Sequence, residues 1–192
     1  MTDKDSNQTP EQDENRLIAE RRGKLDALRE AGQAYPNDFR KDTTSGELIE
    51  RFGESDAEAL AEIDETFSVA GRMMAKRVMG KIAFVRLQDR SGAIQLMIQR
   101  DSLPEGVFQQ FKHWDVGDII GASGAIVRTQ KGELSIKVGE LRLLSKSLRP
   151  LPEKYHGLTD TEIRYRRRYV DLIMNEESRS IFRIRSKIIT FI

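Results

Sequence analysis

The chain of 192 residues has no cysteine, two histidines and one tryptophan. Without cysteine there is neither a disulfide framework nor a thiolate metal site. His113 and His156 stand far apart in sequence with no nucleophile beside them, so no hydrolytic or redox constellation can be built from them. Glycine-rich phosphate loops of the P-loop or dinucleotide type are missing. No apolar run approaches the length of a membrane span, and the polar, acidic amino terminus lacks the apolar stretch of a signal peptide. These absences predict a cytoplasmic protein with no membrane partner.

What is present is charge. Charged residues make up 33% of the chain and hydrophobic residues 38%, enough for a buried core. The net charge of +1 hides an uneven distribution. Residues 47–65 are acidic (Glu47, Glu50, Glu54, Asp56, Glu58, Glu62, Asp64 and Glu65, against Arg51), and residues 142–187 are basic, from Arg142 and Lys146 to Arg185 and Lys187. Local basic patches, not net charge, set affinity for phosphate. Solvated helix faces give the same pattern, and composition leaves both readings open.

Polarity and periodicity divide the chain. Residues 1–14 read as a disordered tail, and residues 15–65 as a helical extension. In its first helix, over 15–31, Leu17, Leu25 and Leu28 form a sparse apolar stripe among Arg16, Arg21, Arg22, Lys24 and Arg29. Gly32 suits its C-cap. The helix is expected on the surface, either solvated or as a basic rail for a nucleic-acid backbone. Tyr35-Pro-Asn-Asp-Phe39 reads as a turn with aromatic anchors. Thr44 or Ser45 caps a short helix, and a second short helix precedes residue 66.

Residues 66–145 alternate with period two. Strands are expected over about 66–79, 82–90, 93–100, 118–129 and 133–145, with a helix carrying Val107, Phe108 and Phe111 between the third and fourth. Three strands, a helix and two strands is the order of a five-stranded OB-fold barrel, so the fold class is mainly β with flanking helices. His113, beside Trp114, is expected to pack at the end of the barrel helix. Met73, Met74, Met79 and Met97 read as core or surface filler. Residues 146–158 form a proline-containing linker. From 159 to 192 the pattern is helical: Asp160 caps a helix with Tyr165, Tyr169, Leu172 and Ile173 on one stripe, and Asn175 or Ser178 starts another with Ile181, Ile184, Ile188 and Phe191. That second pattern runs to Ile192 without a cap, as a piece of a longer protein would.

The chemistry concentrates on the hairpin around Arg90-Ser91-Gly92. Ala83, Val85 and Leu87 share one face with Ile94, Leu96 and Ile98; Phe84, Arg86, Gln95 and Met97 share the other. An outward aromatic beside an amide, flanked by Lys76, Arg77, Lys81 and Arg86, suits a surface that stacks and reads unpaired bases. Alternation alone also allows a loop or the first helix to cover Phe84. On the fifth strand Leu134, Ile136 and Val138 point in, and Glu133, Ser135 and Lys137 point out. The alternation of the first strand slips at Met73-Met74, and a bulge there would aim Arg77 at the Phe84 site.

Several segments together resemble the bacterial-type class II lysyl-tRNA synthetases: Tyr35-Pro-Asn-Asp-Phe39, Ala70-Gly-Arg-Met-Met74, Gly80-Lys81, Leu87-Gln-Asp89, Gly132-Glu-Leu-Ser135, Arg149-Pro-Leu-Pro-Glu-Lys-Tyr-His-Gly-Leu158 and, most specifically, Asp160-Thr-Glu-Ile-Arg-Tyr-Arg-Arg-Arg-Tyr-Val-Asp-Leu172. The barrel segments alone would also suit the aspartyl and asparaginyl relatives; Arg149–Leu172 selects the lysyl branch. The resemblance implies an anticodon-binding OB domain followed by residues 159–192 as the start of a class II catalytic domain, with an incomplete motif 1 helix of the dimer interface over 178–192. It implies that Phe84 stacks on an anticodon base, the central uridine, that Gln95 and Arg77 contact that base, and that Glu133 contacts the anticodon from the fifth strand. The expected partner is a tRNA with a lysine anticodon. The motif 1 proline and motifs 2 and 3 are absent, so no catalytic, cofactor or metal residue is assigned here. ATP, Mg2+, lysine and a homodimer belong to the full-length enzyme, and this chain alone is expected to catalyse neither lysine activation nor transfer. The alternative is a free-standing OB module that binds nucleic acid without catalysis.

Overall fold

The computed structural model describes residues 10–152, 158 and 160–192. They form two compact units, Met1–Pro150 and Leu151–Ile192.

The first unit opens with helix α1, Pro10–Glu30. Residues 10–14, expected in the tail, are therefore helical. Asp13 and Glu14, near the start of α1, suit the positive end of the helix dipole. At the other end Gly32 takes φ +70°. Its N–H donates to the Arg29 carbonyl at 3.0 Å, and the Gln33 N–H to the Leu28 carbonyl at 2.8 Å, which satisfies the last carbonyls. The helix is not the free basic rail that its composition suggested. Leu25 is buried, and buried Arg21 donates to the carbonyls of Ser147 (3.0 Å) and Arg149 (3.2 Å). Lys24 pairs with Asp115 at 3.0 Å. Arg16 and Arg29 are engaged by Asp13 and Asp26 along the helix.

Helix α2, Ser45–Phe52, starts at a capping box: the Thr44 hydroxyl accepts from the Glu47 N–H, and Glu47 reaches back to the Thr44 N–H. Asp89 ties this helix to the barrel, accepting from the N–H groups of Ser45 (2.6 Å), Ser91 (2.7 Å) and Gly92 (3.0 Å). Helix α3, Ala57–Ala61, is capped by Asp56.

Five strands follow: β1 Thr66–Met79, β2 Ile82–Gln88, β3 Ala93–Gln99, β4 Ile119–Arg128 and β5 Leu134–Ser145. They close a barrel in the order β1-β2-β3-β5-β4, with β3 and β5 parallel and the other pairs antiparallel. Helix α4, Val107–Lys112, lies between β3 and β4 in sequence, the OB arrangement that the strand pattern predicts. Closure removes free sheet edges and fixes which residues of each strand face in. Val69, Met73, Ala83, Val85, Leu87, Leu96, Ile98, Ile120, Ile136 and Val138 fill the interior. Each large aliphatic side chain buried in this way contributes about 1.5–3 kcal/mol. Gly124 stands where the β4–β5 register shifts, and a Cβ there would meet the Lys137 carbonyl oxygen at 2.0 Å, so no side chain fits the coiled turn of β4.

Phe108 and Phe111 of α4 belong to the same core. His113 does not pack there: it is exposed. It follows the last turn of α4, past the buried face, and Trp114 instead lies edge-on to Phe111 with centroids 5.6 Å apart. Asp115 and buried Asp118, just beyond, hold Lys146, whose side chain is 2% exposed. Asp118 also accepts from the N–H groups of Asp115 and Ser147, both at 2.8 Å. This buried charge cluster joins the end of β5 to the segment before β4, and Lys24 adds α1.

The second unit contains α5 Thr161–Arg166, α6 Arg168–Met174 and α7 Glu176–Phe191. Asp160 caps α5 through the N–H groups of Glu162 (2.8 Å) and Ile163 (3.1 Å). The single helix expected beyond it is broken at Arg167 (φ −117°, ψ 53°). In an unbroken helix Arg164 and Asp171 would be separated by about 10 Å along the axis. The break lets Arg164 reach buried Asp171 at 3.0 Å, where Arg168 and Asn175 converge as well. Val170 and Asp171 are the buried residues of α6, whereas Tyr165 and Tyr169 are exposed. Ile181, Ile184 and Ile188 form an exposed apolar stripe on α7. His156, with the rest of residues 153–157 of the expected linker, lies outside the described residues.

Candidate nucleic-acid interface

The outer face of the β1–β2–β3–β5 sheet is ordered in rows by strand register. On β2 the inward positions Ala83, Val85 and Leu87 are at most 1% exposed, and Phe84 between them is half-buried on the opposite face. Register places Phe84 opposite Arg77 of β1 on one side and Met97 of β3 on the other, and Met97 pairs in turn with Lys137 of β5. The adjacent row is Ala75, Arg86, Gln95 and Ser135. Two residues along a strand span about 7 Å, so Gln95 stands one such step from the Phe84 row.

Arg77 owes its place to a bulge. Before it, the odd-numbered residues Phe67, Val69 and Met73 of β1 point inward. The register with β2 shifts between Met73 and Ala75, and from there the phase reverses. Arg77 thereby joins the outer row beside Phe84. Lys76, expected among the outer cations, turns inward opposite Val85 instead. Its ammonium donates to the carbonyls of Phe111 (3.0 Å), Lys112 (2.9 Å) and Trp114 (2.7 Å) and stands 4.9 Å from the Phe111 ring centroid. Lys76 thus caps the negative end of α4. Burial pushes its ammonium below the ordinary lysine value.

Gln95 donates from Nε2 to the Ser135 hydroxyl at 2.9 Å. Ser135, expected to point outward, does lie on the outer side of β5, but it is fully buried because Gln95 covers it. Glu133 is exposed at the β4–β5 turn, where its carbonyl accepts from the Thr129 N–H at 3.0 Å and its N–H donates to the Thr129 hydroxyl at 3.2 Å. It precedes Ser135 by two residues, on the side away from the Phe84 row. Glu133 therefore stands about 13 Å along the strands from that row. Arg77 and Phe84 form one cross-strand pair, Gln95 adjoins it, and Glu133 is set apart from both.

The rim of Phe84 is positive. Arg77, Arg86 and Lys137 are exposed and make no ion pair among the described residues. Lys81, further out, lies 3.9 Å from Asp101. An aromatic face, a fixed amide and unneutralised cations can stack a base, read its edge and hold its phosphates, respectively. Met97 and Lys137 are not among the site residues expected from the sequence. The hairpin register is the signal that finds Met97: with Gln88 opposite Ala93 across the turn, each step back along β2 matches one step forward along β3, which sets Met97 against Phe84.

Residues 67–144 match a family described as an OB-fold nucleic acid binding domain. The chain is 57% identical over 192 residues, its whole length, to a lysine–tRNA ligase of Thioalkalivibrio sulfidiphilus, and it is 56% identical over 193 aligned residues to that of Idiomarina loihiensis. With a heat-inducible lysine–tRNA ligase of Escherichia coli K12 it shares 58% identity over 181 residues, 94% of this chain and 36% of that protein. Along its whole length the chain is thus similar to part of these lysine–tRNA ligases. It spans 38% of the length of the first two of these ligases. Among the described residues, no helix is long and apolar enough to cross a membrane.

Proposed function

We propose that the barrel recognises the anticodon of a lysine-accepting tRNA on behalf of a cytoplasmic lysine–tRNA ligase. The observation that carries this reading is the bulge of β1, which turns Arg77 onto the outer face opposite Phe84 and next to the Gln95 row, in a chain that aligns from end to end with such ligases.

In this reading an unpaired anticodon base, the central uridine, stacks on Phe84. Arg77 and Gln95 hydrogen-bond its edge, and Glu133 meets a neighbouring nucleotide. Arg86 and Lys137 hold the backbone. Phosphate contacts fix the position of the loop, while the amide and the aromatic ring read it. The whole ligase activates lysine with ATP and Mg2+ as an adenylate, transfers it to tRNA and works as a homodimer. Among the described residues no cluster of His, Asp or Glu fits a metal ion, and the ATP and lysine sites are assigned to the part of the relatives that this chain does not span.

The test is fluorescence anisotropy of a labelled anticodon stem-loop. A loop with a lysine anticodon should bind more tightly than one with a scrambled anticodon. Two backbone contacts, from Arg86 and Lys137, should give a slope of about −1.4 in log affinity against log salt. Equal affinity for both loops, or indifference to salt, would overturn the reading.

A further inference from the structure

A glutamine amide is ambivalent. Its Oε1 accepts and its Nε2 donates, and a half-turn about the last side-chain bond exchanges them. One orientation complements uridine, whose N3–H is a donor. The other complements cytidine, whose N3 is an acceptor. A glutamine that is free to turn therefore separates these two bases poorly.

Gln95 is not free. The Ser135 hydroxyl lies 3.2 Å from the Glu133 carbonyl oxygen. A carbonyl cannot donate, so the hydroxyl proton is directed there. The lone pairs that remain on the Ser135 oxygen can only accept, and the partner at 2.9 Å must be Nε2 of Gln95 rather than Oε1. Ser135 is fully buried, so water cannot replace either contact at low cost. The donor end of the amide is held toward β5, which leaves Oε1, with no donor to it among the described residues, for the side of β2, where Arg86 stands opposite Gln95 and Phe84 one row along.

We infer that Ser135 is a positioning residue that sets the specificity of the site: the relay from the Glu133 carbonyl through the Ser135 hydroxyl locks the Gln95 amide with its oxygen toward the stacked base, so that the base must present a donor. The inference rests on the proposal that Gln95 reads a base stacked on Phe84. Uridine offers N3–H to Oε1. Cytidine brings its N3 lone pair against the oxygen, and turning the amide so that Nε2 meets that lone pair would break the Nε2–Ser135 hydrogen bond and set Oε1 against the Ser135 oxygen.

The experiment uses the complete chain and two anticodon stem-loops that differ only in uridine or cytidine at the central position. Ser135→Ala should lower the ratio of uridine to cytidine affinity by about fivefold or more, chiefly by tighter cytidine binding, with uridine affinity changed by no more than about twofold. A merely structural role would weaken both loops alike and leave the ratio intact. Gln95→Ala separates reading by the amide from its locking by Ser135. If it leaves the ratio unchanged, Gln95 is no reader and the underlying assignment falls. If it abolishes the ratio while Ser135→Ala preserves it, Gln95 reads the base and the lock is refuted. A measurement on the unmutated chain does not depend on the variant folding. One Gln95 side-chain amide proton should exchange with solvent at least about tenfold more slowly than those of exposed Gln110, as a hydrogen bond to a buried partner requires. Equal exchange would overturn the lock directly.

Discussion

Phe84→Ala separates stacking from packing. The ring lies on the outer face of β2 between Arg77 and Met97, half-buried, while its neighbours Val85 and Ala83 fill the interior. Full burial of a phenylalanine contributes about 1.5–3 kcal/mol, so a half-buried ring contributes about 1 kcal/mol to folding. For a unit of this size that is a fall of about 2–4 °C in Tm. A base stacked on the ring contributes roughly 1–3 kcal/mol, so affinity for the lysine anticodon stem-loop should fall roughly 5- to 150-fold. Leu87→Ala is the matched control. Leu87 is fully buried on the other face of the same strand, and its truncation should cost about 2–5 kcal/mol of stability. Anisotropy with the stem-loop and thermal melts by circular dichroism, run on both variants, give the two readouts. The expected profiles are opposite: affinity lost and stability nearly kept for Phe84→Ala, stability lost and affinity of the remaining folded protein kept for Leu87→Ala. A large fall in Tm with unchanged affinity at Phe84 would show that the ring is a core element and that the outer face is not the reading face.

Lys146→Met should destabilise the first unit by about 3–5 kcal/mol, because the buried Asp118 carboxylate loses its cation, whereas Lys24→Met, at the exposed edge of the same cluster, should cost about 1 kcal/mol; urea melts distinguish them. Burial pushes the Asp89 carboxyl up, but the N–H groups of Ser45, Ser91 and Gly92 and the Ser91 hydroxyl outweigh it and hold the group below the ordinary carboxylate range. Its folded-state value is thus depressed, so its contribution is present above about pH 4 and is lost as pH falls through that depressed value; melts from pH 7 to pH 2 should show Asp89→Asn to be less stable at neutral pH and less sensitive to acid. The Ile181, Ile184 and Ile188 stripe of α7 should drive concentration-dependent association of the isolated chain, and sedimentation equilibrium of Ile184→Glu with Ile188→Glu should show a smaller apparent mass at the same concentration.

Alternation makes much of the barrel legible in the amino-acid sequence, and for a physical reason. A closed sheet has one dry face and one wet face, so every strand must repeat with period two. The faces of Ala83, Val85 and Leu87 against Phe84, and of Leu96 and Ile98 against Gln95, follow from that constraint alone. Where the pattern fails, hydropathy carries no contrast. Lys76 and Arg77 are adjacent and both cationic, and nothing in their own chemistry says which turns inward past the bulge. That is settled by an acceptor elsewhere: the carbonyls at the end of α4 lie inside the reach of Lys76, and Arg77 is left outside. The same holds across the chain. Arg21, Lys24, Lys146, Arg164 and Arg168 inflate the basic count, yet each is engaged by a carbonyl or carboxylate of its own unit. A charge count along the sequence therefore overstates the surface open to phosphate. What locates that surface is which cations the fold leaves without an internal partner, and around Phe84 those are Arg77, Arg86 and Lys137.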